Sequence, residues 1–402
     1  MSVQPMPWPE PAPEIAAAVR AAYRRREPPL PLSWPRHARV GSMRIAVLPG
    51  DGIGPEIMAV TVDALTRLDR RFGLGLRLEP HEVGLASLAR VGSTLPDAVL
   101  EACRAADGFV LGPVSHHDYP PRAQGGRNPS GDLRIALDLY ANLRPSRSYE
   151  GLAHYGRTPM DLVIVRENTE GFYADRNMHL GPGEFMPTPD LALSVRKVSA
   201  QASRRIARTA FLLAQRRRRK VTAVHKANVL RVGEGLFLRE VRAVAAQFPD
   251  VVYEEQLVDS MAAMLVRDAA RFDVVVTTNM FGDILSDEAA ELSGSLGLAG
   301  SINAGDTHCM AQAQHGSAPD IAGADRANPA SLLLSASMLL GWLGERHAKR
   351  NFLEAQAALE AAVARQLGDP ATRTPDLGGA LGTRAFGELL LQRLAPDLGA
   401  AQ

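Results

Sequence analysis

The chain has 402 residues, and 45 Lys and Arg against 44 Asp and Glu leave a formal net charge of +1, which encodes no electrostatic drive toward nucleic acid or an anionic membrane. Its length suits two ordinary domains of ~150 residues each, and an apolar share of 46% is that of a soluble globular protein. The cysteines Cys103 and Cys309 stand far apart without a C-x-x-C spacing, so no disulfide framework or zinc site is encoded and a reducing cytoplasm is the expected location. No apolar run approaches the length of a membrane span, and no secretory signal opens the chain.

Residues 1–42 are Pro-rich at both ends, with a short Ala/Arg helix candidate over 12–26. They read as a flexible arm, and Arg24-Arg25-Arg26 as a solvated helix end. From Met43 the pattern becomes strand (43–48), Gly-rich turn (Gly50, Gly52, Gly54) and amphipathic helix to about residue 72. The glycines permit close backbone approach to a ligand, although the G-x-G-x-x-G dinucleotide spacing is not met. A second unit follows: helix 97–105, strand 108–111, then a loop with His116 and His117, a pair more often exposed than metal-binding. Repeated strand and helix alternation argues for a largely parallel α/β sheet.

Residues 127–147 carry Arg127, Arg134, Arg144 and Arg147 on a helix and the strand after it, and a strand over 161–165 ends at Arg166. Guanidinium forks match carboxylates bidentately. Their convergence would imply a substrate with more than one carboxylate; the alternative is that each pairs with a local acid. Arg216 to Lys220 sit where a helix C-terminus is expected, which favours cations. Lys226 and Asp259 each stand flush against a strand. The Val274-Val275-Val276 run marks a buried strand over 272–278, followed by a turn at 279–282 and a helix starting near Asp283. Asp283 and Asp287 then share one helix face. A divalent cation, Mg²⁺ or Mn²⁺ rather than zinc, would relieve their repulsion; the alternative is two solvated carboxylates at a helix N-terminus. Finally, 315–323 with Asn328-Pro329 is a turn-prone loop able to wrap an adenosine, or simply a long connection.

The strings LPGDGIGPEI (48–57), LRIALDLYANLRP (133–145), VRENTEGFY (165–173), HKANVL (225–230), TTNMFGDILSDEAA (277–290) and HGSAPDIAG (315–323) resemble, in order, those of the β-decarboxylating dehydrogenases that act on isocitrate, 3-isopropylmalate, homoisocitrate, tartrate and D-malate. The resemblance spans nearly all of 43–391. It implies an α/β, isopropylmalate dehydrogenase-like two-domain fold with a large mixed, mostly parallel sheet. Residues 43–139 plus 294–402 would form the large cofactor-binding domain, and 140–293 the small dimerisation and substrate domain. The implied site lies in a cleft completed by a second subunit, making the protein a homodimer at least. Asp283 and Asp287 would bind Mg²⁺ or Mn²⁺ from one subunit and Asp259 from the other. Arg134, Arg144 and Arg166 would hold the malate-like core, with Arg127, Asn128 and Ser130 beside it. Lys226 of the neighbour would take the C2 hydroxyl proton as hydride leaves for the nicotinamide, and Tyr173 would protonate carbon after decarboxylation. The cofactor would lie on Asn228, His315, Gly316, Ser317, Ala318, Asp320, Ile321 and Asn328; an acid at Asp320 implies NAD rather than NADP.

Three departures shape the substrate expectation. Ser130 and Gly131 replace apolar residues that enclose the isopropyl group in the isopropylmalate enzymes. The homoisocitrate enzymes, closest in motifs, carry an arginine where Gly131 stands, and Arg127 is the candidate substitute. The usual Phe-Glu-Pro-Val before HGSAPD is Ala311-Gln312-Ala313-Gln314, a change expected at the loop's outer contacts. The expectation is therefore a homoisocitrate- or isocitrate-like 2-hydroxy acid. A tartrate/D-malate or 3-isopropylmalate enzyme is the alternative, and a catalytically silent regulatory subunit or a metal-dependent hydrolase or lyase would be a different class.

Overall fold

The computed structural model describes residues 41–173, 177–178 and 181–395. The expected arm, with its helix candidate over 12–26, lies outside them up to residue 40. The strands in chain order are β1 (Met43–Leu48), β2 (Leu76–Pro80), β3 (Gly108–Leu111), β4 (Ala141–Arg147), β5 (Asp161–Glu167), β6 (Glu184–Thr188), β7 (Leu191–Ser194), β8 (Lys220–His225), β9 (Val252–Leu257), β10 (Val274–Thr277), β11 (Ile302–Ala304) and β12 (Cys309–Gln312). Ten of them form one sheet in the order β2-β1-β3-β12-β11-β4-β5-β10-β8-β9, and β6-β7 is a separate hairpin.

The sheet is mostly parallel, as the alternating pattern predicts. Val274, Val275 and Val276 are fully buried, the continuous apolar run of a strand covered on both faces. Only the middle pairings, β12 with β11, β11 with β4 and β4 with β5, are antiparallel. One half of the sheet comes from the two ends of the chain and the other half from its middle. Strand direction changes between them, the kind of place where α/β sheets open crevices for ligands.

Helices cover both faces. Gly54–Phe72 packs with Ala330–His347 and Thr383–Arg393 over one half, while Ala200–Ala214 and Gly233–Ala245 cover the other around Phe211, Phe237 and Val241. No helix among the described residues is long and apolar enough to cross a membrane. After helix Ala200–Ala214, Arg217 pairs with Asp161 and with buried Asp273, so part of the basic run ties strand ends together.

Two sequence expectations need correction. The helix expected near Asp283 runs from Asn279 to Ser293, one turn earlier. Thr278 is extended and the Gly282 N–H donates to its carbonyl at 2.9 Å. Residues 279–282 are therefore the first helical turn, and Asp283 and Asp287 lie beyond the N-terminal end where the helix dipole would favour them. The second concerns Gly50 and Gly52, whose close backbone approach is to the chain itself. A Cβ on Gly52, at φ +56°, would stand 2.0 Å from the Ser317 carbonyl oxygen, and one on Gly50 2.2 Å from that of Pro113. Buried Asp51 between them accepts from the Leu85 N–H at 2.7 Å and the Ser115 N–H at 2.9 Å, locking three loops together.

Candidate active site

A cavity of about 360 Å³ opens beside the antiparallel centre of the sheet. Its wall gathers Asn128, Ser130, Arg134, Arg144, Arg166, Tyr173, Asp283, His315 and Gly316. β4 delivers Arg144, the end of β5 delivers Arg166, and helix Asn279–Ser293 delivers Asp283. That helix comes close because residue 282 is glycine: a Cβ there would lie 2.7 Å from Arg166 Cβ.

Asp283 is the meeting point. It accepts from Arg144 Nη1 at 3.1 Å and from the Tyr173 hydroxyl at 3.1 Å, and pairs with Arg166 Nη1. The same Arg144 nitrogen reaches Asp287 Oδ1 at 3.1 Å and Ser286 Oγ at 2.8 Å. Asn279 fixes Arg166, accepting from its Nε at 3.0 Å and its Nη2 at 2.7 Å, while Nη2 also donates to the Tyr173 hydroxyl at 2.7 Å. Burial, then the neighbouring Arg166 charge, pushes the Arg144 pKa down to about 10, so that guanidinium stays charged at neutral pH. Among the described residues the lining carries three guanidiniums against the single carboxylate of Asp283, an excess suited to a multiply anionic ligand.

The two aspartates fit a hard divalent cation: both place an oxygen 3.1 Å from one cationic nitrogen, and carboxylate oxygen is the donor such ions prefer. Among the described residues no group of three or more His, Cys, Asp or Glu gathers around a common point. Asp259, the expected third ligand, pairs instead with Lys226 Nζ at 2.6 Å. This hydrogen bond holds the Asp259 carboxyl below its usual range. Neither residue lines the cavity, and neither does exposed Asn228 in the turn after β8.

The candidate nucleotide loop runs along the cavity mouth. Ser317 is pinned through its carbonyl to the Ile53 N–H at 2.9 Å and through Oγ to Ser115 Oγ at 2.8 Å. Ala318 adopts a left-handed φ of 38°. Asp320 is exposed and Ile321 half-buried in the turn that follows, and Asn328 Nδ2 donates to Asp376 at 3.0 Å. His315 bonds the Gly316 carbonyl through Nδ1 at 2.9 Å, its Nε2 is buried with no partner among the described residues, and burial lowers its pKa.

Arg127 does not join the cluster. Its guanidinium is held by Asp132 at 2.9 Å, Asp97 at 2.8 Å and the Leu95 carbonyl at 2.8 Å, so it supplies no cation in place of the one missing at Gly131. Conversely, Gln312 and Gln314, expected at the loop's outside, line the cavity. Gln312 Oε1 accepts from Arg134 Nη2 at 3.1 Å and from Ser130 Oγ at 2.9 Å, and Gln314 Nε2 donates to Asp287 at 2.8 Å. Their departure from the family string was the signal, and the end of β12 carries Gln312 inward. Asn279 and Asn168, which orient Arg166 and Arg134, gave no signal beyond lying within matched motifs.

The doubly covered, mostly parallel sheet with arginines and paired aspartates at its centre belongs, by the matching family and relatives, to an enzyme of the oxidative-decarboxylating dehydrogenase class. The chain belongs to the isocitrate/isopropylmalate dehydrogenase family, whose model it matches over residues 44–390. It is 40% identical over 339 residues to a 3-isopropylmalate dehydrogenase of Saccharolobus solfataricus, covering 84% of this chain and 95% of that protein. It is 41% identical over 353 residues to an isocitrate/homoisocitrate dehydrogenase of Thermus thermophilus, covering 87% and 98%. The crystal structure of isocitrate dehydrogenase from Methylococcus capsulatus superposes with a TM-score of 0.76 at 38% identity, over 88% of this chain and 99% of that one. Among the relatives found, the name 3-isopropylmalate dehydrogenase recurs more often than the other.

Proposed function

We propose that this protein catalyses NAD-linked, divalent-metal-dependent oxidative decarboxylation of a 2-hydroxy dicarboxylate with a malate core. The observation that carries the reading is the convergence of Arg144, Arg166 and Tyr173 on Asp283, with Asp287 sharing the same Arg144 nitrogen. When bound between those aspartates, a cation such as Mg²⁺ or Mn²⁺ supplies Lewis acidity at the substrate's 2-oxygen. The chain's own groups do the rest. Arg134, Arg144 and Arg166 hold the carboxylates, with Asn128 and Ser130 beside them, and orient the departing one, a positioning effect. Lys226 would take the hydroxyl proton, and NAD, if held by the loop at 315–328, would supply the hydride acceptor. Tyr173, fixed between Arg166 and Asp283, returns a proton to carbon after CO₂ leaves. The loop at 315–328 would hold the adenosine, and Asp320 is the residue that would accept from its ribose hydroxyls.

Lys226 and Asp259 bond to each other outside their own cavity, so in this reading they serve the cavity of a second copy. Exposed apolar side chains suit that assembly: Phe185, Met186, Leu191 and Leu193 on the β6-β7 hairpin, and Val229 and Val232 just after Lys226. Residues 140–293 would then be the dimerisation and substrate domain, and 43–139 with 294–402 the cofactor domain.

A 3-isopropylmalate dehydrogenase is the second reading, favoured by the names of the relatives found. The narrower expectation, homoisocitrate or isocitrate, is weaker on both counts: fewer relatives carry those names, and Arg127 is engaged elsewhere. The test is nicotinamide reduction by the purified protein with NAD⁺ and Mn²⁺ on D-malate, the tartrates, 3-isopropylmalate, isocitrate and homoisocitrate. Reduction with at least one, lost on adding EDTA, is expected; reduction with none, or turnover indifferent to EDTA, contradicts the reading.

A further inference from the structure

Gln312 closes β12 and is only 9% exposed, on the part of the cavity wall that also holds Ser130. Its Oε1 accepts from Arg134 Nη2 at 3.1 Å and from Ser130 Oγ at 2.9 Å. A guanidinium can only donate, which settles the amide's orientation: the oxygen faces Arg134. The amide nitrogen makes no hydrogen bond to the described residues and stays on the wall as a donor. Ser130 spends its proton on Gln312, so its oxygen has lone pairs left to accept. The wall thus presents a donor and an acceptor side by side, Ser130 Oγ held by the same Gln312 oxygen that Arg134 fixes.

Resting on the function proposed above, we infer that Gln312 is a specificity-determining residue and that the substrate's C3 substituent is a hydroxyl. The substrate would be a 2,3-dihydroxy dicarboxylate of the tartrate type. A hydroxyl accepts from the Gln312 amide while donating to Ser130, and is the smallest group that satisfies both. An isopropyl group would cover the same two atoms and leave them without partners. That is the kind of mismatch which polar sites reject strongly. A third carboxylate would accept from Gln312 but meet the Ser130 lone pairs. The cavity's three guanidiniums are assigned to the malate core, and Arg127 is held by Asp97 and Asp132.

The experiment compares kcat/KM of wild type and Gln312→Met on each tartrate stereoisomer, D-malate, 3-isopropylmalate and homoisocitrate. Methionine keeps the length and removes both amide functions. Wild type is expected to prefer one tartrate over 3-isopropylmalate and homoisocitrate by at least about tenfold. In Gln312→Met the tartrate-to-D-malate ratio should fall by about tenfold or more, a change that a merely structural defect, acting on both substrates alike, would not produce. Preference of the wild type for 3-isopropylmalate or homoisocitrate overturns the inference while leaving the proposed reaction standing, and so does an unchanged ratio in the variant. If the variant does not fold, the wild-type preference alone decides. Turnover of nothing in the panel overturns the proposed reaction and this inference together.

Discussion

Asp283 touches two arginines and a tyrosine while projecting toward the same nitrogen as Asp287, so its charge is the one the cavity is built to balance. Asp283→Asn keeps the shape and removes the charge. Mn²⁺ affinity, read by electron paramagnetic resonance, should drop by more than the ~100-fold typical of an outer-shell partner, and turnover should fall with it. Wild-type Mn²⁺ affinity in the variant would remove Asp283 from the metal site. In the proposed reading a second residue sets the cofactor. Exposed Asp320 would repel a 2′-phosphate by more than ~1.4 kcal/mol even at an effective dielectric of about 20. NAD⁺ should therefore exceed NADP⁺ in kcat/KM by more than about tenfold; equal values would mean that Asp320 does not face the ribose. Asp283 and Asp287 stood out by charge type and spacing, whereas the role proposed for Asp320 came from the resemblance alone. Arg127 looked equivalent to Arg134, yet Asp97, thirty residues earlier, and Asp132 claim it, a neutralisation visible only once the chain is folded. Gln312 was visible as a departure, but its meaning depended on which way β12 pointed it.

At the level of elements, strand and helix alternation placed β1, β3 and the helix at Asp97–Ala105 where they occur. Apolar periodicity reports burial, and these elements are buried on the sheet side. The β6-β7 hairpin was not anticipated: its residues are exposed throughout one chain, so no single face carries the signal. The early start of helix Asn279–Ser293 was hidden by Gly282, which reads as a turn former but sits buried against Arg166. Gly282→Ala tests that contact. Alanine gains about 1 kcal/mol of helix propensity, while overpacking costs roughly 1–3 kcal/mol. The melting temperature should shift by only a few degrees, whereas kcat/KM should fall by more than about tenfold as Asp283 moves away from Arg166. Unchanged kcat/KM would show that the close approach is not needed for activity.

Over the whole molecule, the α/β class and the mostly parallel sheet were readable because six ordered motifs and the alternating pattern agree. The separation of Lys226 and Asp259 from the cavity of their own chain is a property of three-dimensional placement, on which sequence is silent without the resemblance. It predicts complementation. Lys226→Ala and Asp283→Asn homodimers should each be nearly inactive, and mixed chains should regain activity, because one of the two sites in a heterodimer then holds both native residues. No recovery after verified subunit exchange would place Lys226 and Asp283 in the same chain's site. The central claim, that oxidation and decarboxylation occur together on these aspartates and arginines, is tested most directly by following NADH and CO₂ in one reaction with the best substrate and Mn²⁺. Equal amounts of the two products, both lost with EDTA, are predicted; NADH without CO₂, or either product persisting when the metal is removed, would contradict it.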